Sequence, residues 1–275
     1  MNVKNYDVAI LVVLYGCKPD SSNTLRTLMK FSSGFKNSRL VVWNNGPESI
    51  NGDRLSPFED FFDVELVQTL DNISLASIYN KFLTSLDAKN YVILDHDTEL
   101  NLDYCKGISS FDGMVGAPKI YSNGQLHSPR RDKNRFTYKT EITAIGSGLV
   151  ISKTISELLM YKYSSVFDER FVLYGVDTTF FYRLSKTINL KNDLMILPEL
   201  KHSLSSNETE SVNVSDFRVK EKSYDFGLRL RFYPTLDKFV LLLILFIKAS
   251  YRCSPLKLRY VVKSFLKGKH YRGKK

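Results

Sequence analysis

Apolar residues fall in short blocks along the first hundred positions, and the spacing between blocks is helical. Residues 8–14 (VAILVVL) form a continuous aliphatic run, as expected of a strand covered on both faces. Residues 39–43 (RLVVW), 64–67 and 91–94 (YVIL) are three more runs of strand length. Ser21 or Ser22 can cap a helix carrying Leu25, Leu28 and Met29. Residues 74–86 place Leu75, Ile78, Tyr79, Phe82 and Leu86 on one helical face. Asn44-Asn45-Gly46-Pro47 closes the second run as a turn. Strand and helix in alternation predict a doubly wound α/β sheet.

Beyond residue 100 the pattern is mixed. Residues 114–117, 143–152 and 194–197 read as strands, and 153–161 and 177–186 as helices. The polar stretch 124–136, with Arg130, Arg131 and Arg135, reads as a loop. From about Val214 the pattern is helical. Its longest apolar run, 239–247, has nine residues, against roughly 20 for a spanning helix. Leu258, Val261, Val262 and Phe265 then follow helical spacing, with Lys257, Arg259, Lys263 and Lys267 on the other faces. That is the composition of an interfacial anchor. The expected organisation is a catalytic body over 1–213 and a basic, membrane-associating helical extension over 214–275.

Charge sharpens this division. Of the net +10, residues 216–275 hold 16 Lys/Arg against 4 Asp/Glu, a balance of +12, and the other 215 residues come to −2. A near-neutral body with a basic end suggests a separate electrostatic task, such as binding an anionic surface. With 275 residues, 43% hydrophobic and 25% charged, the chain is neither disordered, collagen-like nor a disulfide miniprotein. Three scattered cysteines without a CxxC exclude a zinc knuckle and fit a reducing compartment. The first residues lead straight into the 8–14 run, which reads as a core strand and not a signal peptide.

Acid-x-acid occurs four times: Asp63/Glu65, Asp95/Asp97, Asp97/Glu99 and Glu208/Glu210. Only Asp95/Asp97 directly follows an apolar strand in the βα array, where such sheets bind ligands. Two carboxylates there can hold a hard divalent cation, which can hold a diphosphate. Alternation along the strand points His96 away from that cation.

Around these residues the order of motifs resembles family-two glycosyltransferases, the inverting nucleotide-sugar enzymes with a GT-A fold. YVILDHDTEL matches their metal-binding D-x-D position, and VVLYG, ending at Leu14 and Tyr15, their opening motif beside the nucleobase. DNISLASIYN resembles their N-x-G/S-x-a-x-x-x-N helix start, with Asn72 and Asn80 as the family asparagines. GSGLVIS, with Gly146, Ser147 and Gly148, resembles the strand lining the acceptor site. FDERFVLYGVDTTFFYR resembles their F-D-E-x-F-x-x-Y-x-x-D segment, in which Asp177 takes the place of the catalytic base. His202, after the next strand, stands where many members place a histidine near metal and diphosphate.

The resemblance, over residues 7–205, implies a GT-A-like α/β fold, a Rossmann-like mixed sheet flanked by helices. It also implies Mg²⁺ or Mn²⁺ on Asp95, Asp97 and His202. A nucleotide-sugar donor would contact Leu14, Tyr15, Asn44, Asn72, Asn80, Asp95 and Asp97. Asn44 stands where many members have an aspartate, and Val176 and Thr179 where acids are common. The pattern is most similar to a rhamnosyltransferase-like branch that builds bacterial O-antigen and related polysaccharides. That implies a polyprenyl-diphosphate-linked glycan acceptor at the inner face of the cell membrane, with a UDP-hexose donor as the alternative to rhamnose. Three other classes compete. A sugar-phosphate nucleotidyltransferase needs a glycine-rich basic loop after the first strand, where this chain has YGCKPDSSN. A dinucleotide oxidoreductase needs G-x-G-x-x-G, which is absent. Nucleic-acid binding through the tail aromatics fits the apolar run 239–247 less well than lipid does, so no nucleic-acid partner is expected.

Overall fold

The computed structural model describes residues 4–122, 124–133, 140–202, 212–250 and 255–273. Its centre is one mixed sheet. The strands are β1 (Asn5–Leu14), β2 (Ser38–Asn44), β3 (Asp63–Gln68), β4 (Asp87–Asp95), β5 (Val115–Ser122), β6 (Gln125–Ser128), β9 (Leu149–Ser152) and β10 (Leu194–Leu200). Their order is β10-β5-β9-β4-β1-β2-β3, with β6 paired to β5. β4, β1, β2 and β3 run parallel, β9 is antiparallel to both β4 and β5, and β10 is parallel to β5. A separate ribbon joins β7 (Arg130–Lys133) to β8 (Thr140–Thr143).

The continuous apolar run of β1 is explained by its central place. Ala9, Leu11 and Val13 face one core, while Val8, Ile10, Val12 and Leu14 face the other. Helices cover both faces. They are α1 (Asn23–Lys30), α2 (Leu75–Ser85), α3 (Leu102–Ser109), α4 (Lys153–Tyr163), α5 (Val176–Ser185) and the short α6 (Leu190–Asp193). Of the two cap candidates, Ser22 caps α1, its hydroxyl accepting from Leu25 N. The expected α/β architecture is thus present, a largely parallel sheet between helices.

Several local expectations are corrected. The stretch 124–136 is not a loop in its described part, since β6 and β7 occupy it. The strand expected over 143–152 is two strands, β8 and β9, parted by a turn at 144–148. Helix α3 had no sequence signal strong enough to announce it. Its eight residues include Asp103, Lys106 and Gly107, and only Tyr104, Cys105 and Ile108 are buried. Cys17 and Cys105 are free thiols, and Cys253 lies outside the described residues.

The C-terminal segment forms α7 (Val212–Phe232), α8 (Leu236–Ser250) and α9 (Leu258–Lys267). Leu228 of α7 belongs to the main core, with Phe232 and Tyr233 packed against it. On its other side Phe226 meets Val261 of α9 and Leu245 of α8. The apolar stripe expected on the last helix therefore divides. Val261 faces α7, whereas Val262, Phe265 and Leu266 stay exposed. On α8, Phe239, Leu243, Ile244, Phe246 and Ile247 are exposed as well. Among the described residues no helix is long and apolar enough to cross a membrane.

Candidate active site

β1 and β4 end side by side at the centre of the sheet, with Val13 in register with Asp95. Asp95 is the last residue of β4. The turn after it is pinned by the start of α1. Ser22 Oγ donates to His96 O at 2.8 Å and Thr24 N to the same carbonyl at 3.2 Å. Thr24 Oγ1 accepts from Thr98 N at 3.0 Å and lies against the carbonyls of Asp95 and Thr98. From the other side Ser147 Oγ accepts from Asp95 N at 2.9 Å and sits 2.6 Å from Thr98 Oγ1. Thr98 Oγ1 is in turn 3.0 Å from His202 Nδ1. His202 reaches this place because the chain after β10 pairs with the chain after β4, Glu99 N donating to Lys201 O at 2.8 Å.

Asp95, Asp97 and His202 each offer a ligand atom, and these atoms lie within 4.8 Å of one another. Asp97 Oδ1 is buried with no hydrogen-bond partner, and His202 Nδ1 is 3.3 Å from it. A sealed carboxylate oxygen without a hydrogen bond is costly. Two carboxylates and an imidazole are a donor set that a divalent cation satisfies, so the residues fit a metal. His96 does not join this group, in line with the alternation along the strand.

The charges respond to crowding. Burial and the Asp97 charge raise the Asp95 pKa, against the pull of His202. Burial also pushes Asp97 upward, but the proximity of His202 and then His96 outweighs it, and the net shift is down. Burial would lower His202, yet Asp97, Asp95 and Asp177 together raise it.

Asp177 is the second residue of α5, whose N-cap is Gly175. Its carboxylate does not cap its own helix. Oδ2 accepts instead from Gly146 N at 3.0 Å. A Cβ on Gly146 would stand 2.5 Å from Asp177 Oδ1, so that position must be glycine for the carboxylate to rest there. Burial, reinforced by the Asp95 charge, pushes Asp177 up to about 7, although Gly146 N and His202 act the other way.

The other expected residues divide by what they touch. Tyr15 is 48% exposed past the end of β1, whereas the Leu14 side chain is fully buried and its carbonyl accepts from Asn45 N. Asn44 is buried and engaged in its own turn, donating to Glu48 O and Gln68 Oε1 and accepting from Gly46 N. Asn72 has φ +49, and its carbonyl accepts from Arg272 Nη2 at 2.6 Å. Asn80 grips the backbone of Phe167 from both sides, accepting from its N–H and donating to its carbonyl. Ser147 is fully buried and holds the Asp95 turn, and Gly148 N donates to Ile93 O at 2.7 Å. Arg183 is buried, donating to Ser165 O and Val166 O. Two hollows of about 540 and 300 Å³ lie at the β10 edge, lined among others by Lys119 and Ile196, and include none of these residues. Lys119, Glu199 and Arg131 line them beside the apolar side chains.

Thr24 and Thr98 had no sequence signal as site residues. Each is an ordinary threonine whose partner lies about seventy positions away, so only the fold brings them together. Cys17 was equally silent, yet its thiol feels the Asp97 charge, after burial the second cause of its raised pKa.

No known family profile and no curated protein matches the sequence. Solved structures do resemble the fold. S. aureus TarS residues 1–349 superpose with a TM-score of 0.52 at 12% identity, covering 97% of this chain and 89% of that one. A longer S. aureus TarS chain gives 0.50 at 12% identity over 82% of this chain and 44% of that one. The chain thus spans less than half of the longer TarS. A mannosyltransferase from Pyrobaculum calidifontis, PcManGT, solved with GDP-Man and Mn²⁺, gives 0.49 at 12% identity, over 82% and 64% of the two chains. What the TarS likeness establishes is architecture: the chain shares the mixed α/β fold of that protein, a mostly parallel sheet flanked by helices.

Proposed function

We propose that this protein is an inverting glycosyltransferase that moves a sugar from a nucleoside diphosphate to an acceptor hydroxyl. The observation that carries this is the cluster of Asp95, Asp97 and His202 at the end of β4, with the Asp177 carboxyl near enough to feel the charges of Asp95 and His202. In an inverting transfer the acceptor oxygen attacks the anomeric carbon as the bond to the diphosphate breaks, and the acceptor proton needs a base. Asp177 takes that proton. Asp95, Asp97 and His202 would hold Mg²⁺ or Mn²⁺, of which the imidazole favours Mn²⁺. When bound, the cation supplies positive charge for the departing diphosphate. The chain itself fixes these groups through Ser22, Thr24, Thr98 and Ser147, so the geometry precedes the substrate.

Rhamnose carried on dTDP is the sugar we favour, from the resemblance of the motifs, with a UDP-hexose as the alternative. Asn44 offers a nucleobase no carboxylate, so the base must be named by measurement. The acceptor we propose is a lipid-linked, polyprenyl-diphosphate glycan at the inner membrane face. Its support is the exposed apolar surface of α8 and α9, carried on a segment of +12 charge. Exposed apolar side chains among lysines fit an anionic interface.

Calorimetry with dTDP-rhamnose, UDP-glucose, UDP-galactose, UDP-GlcNAc and GDP-mannose, each with and without Mn²⁺, tests the donor. One of them should bind in a metal-dependent way and lose that dependence in Asp97→Ala. Absence of binding to all five, with and without anionic liposomes, would overturn the proposal.

A further inference from the structure

After α9 the chain returns along α7 to the edge of the sheet. The Tyr271 ring packs on Tyr224 with centroids 4.8 Å apart, and its hydroxyl donates to Glu221 Oε1 at 2.6 Å. Glu221 is buried, and Arg272 Nη1 donates to its other oxygen at 3.3 Å. Held by that carboxylate, the guanidinium donates through Nη2 to Asn72 O at 2.6 Å. Asn72 has φ +49, a left-handed conformation that a non-glycine residue keeps where its surroundings fix it. From Asn72 the bonds continue inward. Its N–H donates to Asn45 O at 3.2 Å, and the Asn45 side chain holds both backbone groups of Ile73, at 2.9 and 3.0 Å. Asn45 N donates to Leu14 O at 2.8 Å, and Gly16 N to Gly46 O at 2.7 Å. These last two bonds flank Tyr15, which stands exposed past the end of β1.

This chain of bonds ends where a nucleoside must lie if the function proposed above holds, and the inference rests on that reading. The cation site is at the end of β4, and Asp177 is tied to Gly146, on the turn that enters β9. β9 and β1 flank β4 on opposite sides. A sugar whose anomeric carbon faces Asp177 lies toward β9, so the nucleoside at the other end of the diphosphate lies toward β1 and β2. Tyr15 and the 45–46 turn stand there, at the carboxyl ends of those strands. We propose that Arg272 is a positioning residue for the nucleotide: it fixes the Asn72 loop from α7, and through Asn45 that loop holds the backbone on both sides of Tyr15. With the loop fixed beforehand, binding the donor does not have to order it.

Arg272→Ala deletes the contact. The five sugar nucleotides above and their parents dTDP, UDP and GDP, with Mn²⁺, and then Mn²⁺ alone, are titrated into wild type and variant. The sugar nucleotide that wild type binds and its parent diphosphate should weaken together, each by about tenfold. Affinity for Mn²⁺ alone should stay within about twofold, since the hydroxyls around Asp95, Asp97 and His202 share no partner with the tail among the described residues. A merely structural role would weaken metal and nucleotide alike. Arg272→Lys carries the test if the alanine variant does not fold. It keeps a cation beside Glu221, so its urea midpoint should stay near that of wild type, but one ammonium does not reproduce the fork to Glu221 and Asn72. Its nucleotide affinity should fall by about threefold or more. Unchanged nucleotide affinity in the folded variant, or a loss matched by Mn²⁺ alone, overturns the role of Arg272 and leaves the glycosyltransferase reading intact. A wild-type protein that binds none of these nucleotides overturns both.

Discussion

Two aspartates nine residues apart in sequence, Asp168 buried and Asp177 partly so, live in opposite electrostatic surroundings. Asp168 is compensated: Arg170 donates to it, Tyr233 OH donates at 2.7 Å, and Arg183 lies at 3.5 Å. Burial pushes its pKa up, but these partners outweigh burial and hold it below the usual carboxylate range. Among the described residues Asp177 has one backbone N–H and no arginine, and it feels the charge of another carboxylate, Asp95. The same residue type is a structural anchor in one place and, in the function proposed above, the base in the other. What separates them is whether the chain supplies the positive charge. Where it does, the charge stabilises the fold. Where it does not, the carboxyl holds its proton to higher pH instead.

The largest test of this contrast is Asp177→Asn. The amide can still accept from Gly146 N, so the fold should persist while turnover falls by about 10²–10⁴. Donor binding should survive, as calorimetry would register. Full turnover in the variant would end the assignment of Asp177 as base.

Stability should then move the other way. Asp168→Asn leaves Arg183 buried without its counterion. It should cost about 3 kcal/mol in urea unfolding, the low end for a broken buried pair, because Arg170 remains partly solvated. Asp177→Asn should cost nothing, since it removes a crowded charge. Equal losses for the two would mean that compensation does not distinguish them.

The pH dependence has opposite signs at the two places. Asp177 binds its proton more tightly folded than unfolded. Its contribution therefore declines as pH rises from about 4 to about 7. Asp168 is the reverse: its contribution is present above the ordinary carboxylate pKa and is lost as pH falls below it. Denaturation across pH should show the neutral-range decline in wild type and not in Asp177→Asn. Mn²⁺ should shift that decline to lower pH, because it neutralises the Asp95 charge that helps raise Asp177. A decline that Mn²⁺ leaves in place would place the metal elsewhere.

The smallest expected effect is that of Tyr233→Phe. It removes one hydrogen bond to Asp168 and should cost about 1 kcal/mol of stability, with no change in the pH profile of the Asp177 site.

How much of this could be seen in the sequence depended on the length scale of each interaction. β1, β2 and β4 were legible because a strand buried on both faces must be apolar at every position. Asp95 and Asp97 were legible because such a strand ends at them. Asp177 and His202 were reachable only through the resemblance of motifs, since nothing local separates them from surface residues. The supporting hydroxyls of Thr24 and Thr98 were invisible, being ordinary until the fold joins them. The polarity of 124–136 misled, since β6 (QLHS) and β7 (RRDK) carry one large apolar residue between them and leave no apolar trace. α7 was legible as helix but not as core. Residues 223–228 are buried in succession, because the body covers one side and α9 the other, so no stripe marks the packing. Its buried Glu221 and Asp225 hide it further.

One contact ties this late segment to the beginning of the chain. Arg272, which also meets Glu221 at 3.3 Å, donates to the carbonyl of Asn72, two hundred residues earlier. β1 to β4 find one another within the first 95 positions and can assemble as they leave the ribosome, since synthesis presents N-terminal segments first. The loop at Asn72 cannot be finished then. Its last hydrogen bond comes only after α7, α8 and α9 have been made and folded back. A nascent chain with its sheet complete still lacks the Arg272 contact to the Asn72 loop, and that contact forms only with the arrival of the helices that carry the exposed apolar face.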